Sequence, residues 1–192
     1  MLPNTPLHRV PRDEMSPSLQ AAHDASMKMH NDATFVEVLA NTPEMLEWYR
    51  KDFYERVFYS GRLPRRMVEL VRLRLANVHG CALCNRTDRA AAAQAGITEA
   101  EMDALADHAN GPFSPSEKAA LALADVMVLT NLKGAVTHEL HAKLKDHLTD
   151  AQMVELGMIM AVLCGMAKFI FAYDLVEKED YCPFVPANQA AE

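Results

Sequence analysis

An all-α fold, a helical bundle of seven or eight helices, is predicted by three observations. Apolar residues recur at helical spacing in one segment after another, and those segments are opened by Ser, Thr or Pro and closed by residues such as Gly80 and Gly96. No stretch alternates with period two for long enough to build a sheet. The twelve methionines and the alanine run at 90–93 favour helix.

The elements follow in order. Residues 1–17 carry Pro3, Pro6, Pro11 and Pro17 and read as an extended arm that does not fold alone. A first helix is expected over 17–39. Thr42-Pro43 reads as an N-cap with Pro at the first helical position, opening an aromatic-rich helix to Tyr59. Most of its rings are assigned to core or subunit contacts. A helix from Pro64 stops at Gly80, with Val68, Val71, Leu75 and Val78 as its apolar stripe. The cysteine-bearing helix follows and stops at Gly96. Thr98 with Glu101 forms a capping box for a short helix, and Ser114 to Glu117 opens the next. Helices over 137–147 and 149–178 complete a single helical domain at 18–180, followed by a loose tail at 181–192.

A chain of 192 residues supports one domain with a substantial core. The net charge of −7 argues against a nucleic-acid partner. The apolar stretch 156–176 contains Lys168 and Asp174 and is read as a buried bundle helix, so no membrane partner is expected. No signal-like segment opens the chain, and four cysteines are too few for a disulfide scaffold, which points to the cytoplasm. No cofactor and no metal are expected. The three histidines His138, His141 and His147 read as a polar helix face, and no second CxxC completes a zinc site.

The chemistry centres on Cys81-Ala82-Leu83-Cys84. The pair follows the helix-ending His79-Gly80, so both thiols fall in the first turn of a helix, where unsatisfied amides favour a thiolate. The spacing also lets the two sulfurs form and reopen a disulfide. Half of a zinc site, or two buried cysteines, is the plainer reading. Cys164 lies in an apolar run and reads as a small buried residue. Glu69, with Arg65 and Arg72 on its helix face, is either a proton acceptor turned towards the thiols or part of a solvated charged face. Asp88, one turn after Cys84, is a base, a like charge that disfavours the thiolate, or an exposed helix residue; Arg86 and Arg89 flank it as candidate counter-ions. His79 either donates to a thiolate or helps end its helix.

The block from Pro64-Arg65-Arg66-Met67-Val68-Glu69 to His79-Gly80-Cys81-Ala82-Leu83-Cys84, then Ala90 to Gly96, resembles the alkylhydroperoxidase D-like and carboxymuconolactone decarboxylase family. The resemblance is strong over 63–105. It implies an all-helical fold that assembles as a homotrimer or homohexamer. It also implies that Cys84 attacks a peroxide, Cys81 closes the disulfide and Glu69 joins the proton relay. One position departs from the peroxidase pattern Cys-x-x-Cys-x-x-x-His: Asp88 stands where the histidine is usual.

The expected function is thiol-dependent reduction of a small hydroperoxide substrate, recharged by a dithiol such as a lipoyl or thioredoxin-like protein. The alternatives are a cofactor-free lyase, decarboxylase or isomerase acting on a small organic acid or aromatic, in which the thiols, Glu69, Asp88 and His79 do acid–base work in a pocket walled by Trp48, Phe53 or Tyr54, or a non-enzymatic thiol sensor.

Overall fold

The computed structural model describes residues 2–184. Nine α-helices are present among them: α1 (Pro17–His30), α2 (Thr34–Leu39), α3 (Pro43–Glu47), α4 (Arg65–His79), α5 (Ala82–Gln94), α6 (Glu99–Ala104), α7 (Pro115–Met127), α8 (His138–Lys145) and α9 (Asp150–Ala172). No strand is formed among the described residues; an isolated bridge joins Cys81 to Lys178. The class is the expected one. The helix count exceeds the expected seven or eight because the first predicted helix is two. Asn31 adopts the left-handed conformation and ends α1, and Asp32 then turns the chain by accepting from the Thr34 hydroxyl at 2.7 Å.

α4 is the central helix. Ten of its fifteen residues are buried, so it has no solvent face of consequence. Val68, Val71 and Leu75 pack into a core shared with α7, α9 and the rings of Phe53 and Phe58. Leu70 and Leu73 pack into a second core with Ala92, Met102, Leu105 and Leu121. Burying α4 on both sides also buries Glu69, Arg72 and His79, three polar groups that must find partners inside.

The aromatic segment is not the expected α-helix. After α3 the chain widens into a π-helix, Trp48–Phe58, closed by a bond from the Tyr59 amide to the Tyr54 carbonyl at 2.8 Å. A π turn brings residues five apart over one another. Tyr49, Tyr54 and Tyr59 therefore form one column, with ring centroids 5.1 and 6.1 Å apart, and Phe53 and Phe58 lie in a second at 6.1 Å.

The C-terminal part also differs from expectation. α9 ends at Ala172, and the left-handed Asp174 sends the chain back across the start of α5. There the Ala82 amide donates to the Glu177 carbonyl at 3.1 Å and the Glu179 amide to the Gly80 carbonyl at 2.9 Å. Lys178 is buried against Asp174. The tail predicted to be loose from Tyr181 is packed where it is described: Cys182 is buried, its thiol donates to the His79 carbonyl at 3.1 Å, and Phe184 stacks on Phe171. The rest of that tail, 185–192, lies outside the described residues. The N-terminal arm runs over the outside, with the Asn4 amide on Asp174 at 2.9 Å and the Val10 amide on the Glu37 carbonyl at 3.1 Å.

Gly80 is the hinge between α4 and the cysteines. Its φ is +67°, and a Cβ there would stand 2.6 Å from the Cys182 Cα. Gly96 has a similar φ of +80° but open space around it. Gly80→Ala is therefore expected to cost more than the roughly 1–2 kcal/mol of left-handed strain that Gly96→Ala costs. Urea denaturation of the two variants checks the difference; equal losses would mean the Cys182 contact is readily relieved.

Candidate functional site

Cys81 and Cys84 are joined as a disulfide, with Cα atoms 5.2 Å apart. Their positions in α5 are not equivalent. Cys81 is the N-cap, fully buried, and its sulfur accepts the Cys84 amide at 3.2 Å. Cys84 lies inside the first turn and is only partly buried. The helix amide thus supports the Cys81 sulfur, whereas the expectation was that both thiols would share this support. Access favours Cys84.

Both sulfurs line a cavity of about 490 Å³. One wall is the tyrosine column of the π-helix. The opposite wall is apolar, from Leu163, Met166, Ala167 and Ile170 of α9. Arg72 and Asp88 stand in the polar part of the lining.

Asp88 is buried, so it is not a surface residue of α5. Its expected counter-ions are engaged elsewhere: Arg86 pairs with Glu177, and Arg89 pairs with Glu99 and Asp103. Arg72 from α4 takes their place, with its Nε 3.3 Å from Asp88 Oδ1. That Nε has no partner in hydrogen-bond geometry, so the contact is ionic rather than a directed bond. Burial raises the Asp88 carboxyl to about 6; Arg72 opposes the rise and Glu69 adds to it.

Glu69 is completely buried and does not line the cavity. It accepts from Arg72 and, at 3.0 Å, from the Tyr59 hydroxyl, while Arg65 reaches only to 3.9 Å. Glu69 therefore acts on the cavity through Arg72. Burial tends to lower the Arg72 pKa, but Asp88, Tyr54, Glu69 and Tyr59 more than offset that and raise it. The guanidinium also lies over the Phe58 and Tyr54 rings, at 5.0 and 5.8 Å.

His79 lines the cavity, but its Nε2 accepts the Leu129 amide at 3.1 Å. Burial lowers its pKa to about 4, so it is neutral at pH 7. The role of a cationic donor to a thiolate is closed to it. Cys164 is buried on the far side of the core, where its thiol donates to the Met127 carbonyl and burial raises it to about 11. Among the described residues no group of three or more His, Cys, Asp or Glu side chains is placed to hold a metal ion.

Of the rings expected to wall a pocket, Tyr54 lines the cavity, while Trp48 and Phe53 do not. Two residues of the site are not singled out by the sequence. Arg72 reads only as one of two partners for Glu69, because its reach to Asp88 joins two helices. Tyr49 reads as one ring of a general aromatic face. Its spacing of five from Tyr54, repeated at Tyr59, was the available signal.

The architecture is that of a helical thiol protein: a disulfide-forming pair at a helix start opens onto a cavity with a carboxylate and a guanidinium. The family model for carboxymuconolactone decarboxylases matches residues 43–126, which include the π-helix, Glu69, both cysteines and Asp88. The chain belongs to this family. It is 31% identical over 109 residues to the uncharacterized protein YdfG of Bacillus subtilis, spanning 55% of this chain and 72% of that one.

Solved structures share the fold at low identity. A peroxidase-related protein from Ralstonia eutropha, described as an alkylhydroperoxidase AhpD core, aligns with a TM-score of 0.68 at 13% identity, covering 95% of this chain and 97% of that one. The debrominase Bmp8, in a complex with 2,3,4-tribromopyrrole, aligns with a TM-score of 0.72 at 14% identity, covering 92% and 93%.

The raised Asp88 carboxyl has a defined stability signature. Between about pH 4 and 6 the folded protein holds a proton that the unfolded chain has lost, so this group's contribution to stability falls as pH rises through that window. His79 works the other way over pH 4 to 6.5, because there the unfolded chain binds the extra proton. Asp88→Asn is expected to gain on the wild type as pH rises from 4 to 6, by up to about 3 kcal/mol. Chemical denaturation at a series of pH values checks this; a constant difference would mean Asp88 ionises normally.

Proposed function

We propose that the protein is a thiol-dependent hydroperoxide reductase. The observation that carries this reading is the Cys81–Cys84 disulfide opening onto a cavity that also presents the Asp88 carboxylate. In the reduced protein Asp88 accepts the Cys84 proton. The Cys84 thiolate attacks the O–O bond of a hydroperoxide, forming a sulfenic acid and releasing an alkoxide that is protonated to the alcohol. Cys81 then gives up its proton and its sulfur displaces the hydroxyl, which takes that proton and leaves as water while the disulfide forms. A dithiol of the lipoyl or thioredoxin-like type, in a reducing cytoplasm, restores both thiols.

Asp88 serves where the peroxidase pattern has histidine because burial brings its carboxyl to about 6. The charge it carries once ionised is compensated by Arg72. Cys84 is the attacking sulfur because it is the more accessible, and Cys81 resolves.

The same carboxyl supports a second reading, a cofactor-free lyase or isomerase in which Asp88 is the acid–base group and the thiols are spectators. Asp88 would then act on an organic acid or aromatic compound held against the tyrosine column.

We also propose a homotrimer or a multiple of it. α9 is long and apolar enough to cross a membrane, yet only 33% of its most apolar window is buried within one chain. Val154 and Met158 on it are more than half exposed, as a surface covered by further copies would be. Light scattering is expected to give a multiple of three times 21.4 kDa, and a monomer at micromolar concentration would refute the assembly.

Peroxide treatment of the reduced protein, with thiol titration and peptide mass spectrometry, tests the reading. Loss of two thiols and a Cys81–Cys84 linkage are expected. Cys84→Ser should lower peroxide consumption about 1,000-fold or more, and Cys164→Ser should leave it unchanged. An organic-acid activity that survives replacement of both cysteines would favour the lyase.

A further inference from the structure

The cavity holds hydroxyl groups that this scheme has not used. Tyr49 and Tyr54 face each other with their oxygens 3.4 Å apart, in the same lining as Cys84 and Asp88. Either hydroxyl can donate to the other, so one proton of the pair is always left over. The Arg72 guanidinium lies over the Tyr54 ring at 5.8 Å, so negative charge is best tolerated on Tyr54. When Tyr49 donates to it, the Tyr54 hydroxyl has its own proton left for a third group. Among the described residues no acceptor takes that proton, and the cavity is the space beside it.

We propose that Tyr54 is the acid of this site, giving its hydroxyl proton to the oxygen that leaves when the Cys84 sulfur attacks a hydroperoxide. The inference rests on the thiol reductase reading and adds the proton donor that the reading lacks. The balance is as follows. The Cys84 thiolate takes the terminal oxygen as S–OH, and the O–O bond breaks with its electron pair on the alkoxide. The alkoxide takes the Tyr54 proton to become the alcohol. The proton that Asp88 took from Cys84 restores the Tyr54 hydroxyl.

The surroundings suit each stage. Burial raises the Tyr54 phenol, so it enters the reaction protonated, while Arg72 pulls in the opposite direction and stabilises the tyrosinate that follows. Burial and Tyr54 raise the Tyr49 phenol, so Tyr49 stays protonated and can donate to the tyrosinate once it forms. Arg72 in turn is held by Glu69, which gives the buried glutamate a part in the chemistry without contact with the cavity.

Leaving groups that need no proton separate this role from a structural one. The reduced protein is mixed in single turnover with tert-butyl hydroperoxide, with peracetic acid and with iodoacetamide, reading Cys84 modification. Acetate and iodide depart unprotonated, whereas tert-butoxide does not. Tyr54→Phe is expected to slow the hydroperoxide reaction about 100-fold and to change the other two by less than about 3-fold. Tyr49→Phe, which removes one donor from the Tyr54 oxygen, should give a smaller loss with the same order among the three reagents, and it serves if Tyr54→Phe does not fold. Equal slowing of all three reactions, or none with the hydroperoxide, overturns the assignment. A wild-type protein whose Cys84 reacts with iodoacetamide but with neither peroxide overturns the reductase reading itself, and the Tyr54 role with it.

Discussion

The site depends on one buried cation. Arg72 stands between Glu69 on its own helix and Asp88 on the next, and neither carboxylate has another full charge as close. Taking such groups out of water costs several kcal/mol each, and only mutual contact repays it. Removing Arg72 would leave two buried carboxylates without their counter-charge, at a cost of about 3–5 kcal/mol, whereas removing Asp88 leaves the Glu69–Arg72 pair balanced. The arrangement is therefore weak as a source of stability and strong as a constraint. It sets α4 against α5 in one register, and with that register it fixes where Asp88 and Cys84 meet the cavity.

The two cysteines draw their difference from the same packing. The returning segment after α9 bonds to Gly80 and Ala82 and covers Cys81, so that sulfur is enclosed and capped by the Cys84 amide. Cys84, one turn on, is left facing the cavity. Electrostatic support and access are thus divided between the partners of one disulfide. Under the proposed reductase scheme, an enclosed resolving thiol next to an accessible attacking one suits a pair that must close and reopen.

The π-helix supplies the other half of the cavity. In an α-helix, tyrosines five apart would spread around the axis. The wider turn stacks them, so Tyr49 and Tyr54 share a hydroxyl contact and Tyr59 reaches back to Glu69. The apolar side chains of Leu163, Met166, Ala167 and Ile170 from α9 line the same cavity. A 490 Å³ cavity with such walls is better suited to an organic molecule than to a bare peroxide.

The helical class, the capping box at Thr98, the helix starts at Ser114 and Thr149, the turn at Gly80 and the cysteine pair were all legible in the sequence, because each is decided within a few residues of chain. Glu69 and Asp88 were legible as candidates by their spacing from the cysteines, but not in their pairing. Arg72, rather than Arg86 or Arg89, became the counter-ion because packing α4 against α5 brought it to Asp88 across 16 positions of sequence, while the two nearer arginines found carboxylates on the surface. The neutral state of His79 and the enclosure of Cys81 were likewise decided by partners more than 40 residues away, Leu129 and the segment around Glu177. Local sequence determines which groups are present and which helix carries them. Tertiary structure alone decides which of them lose water, and burial is what sets their charge and their chemistry.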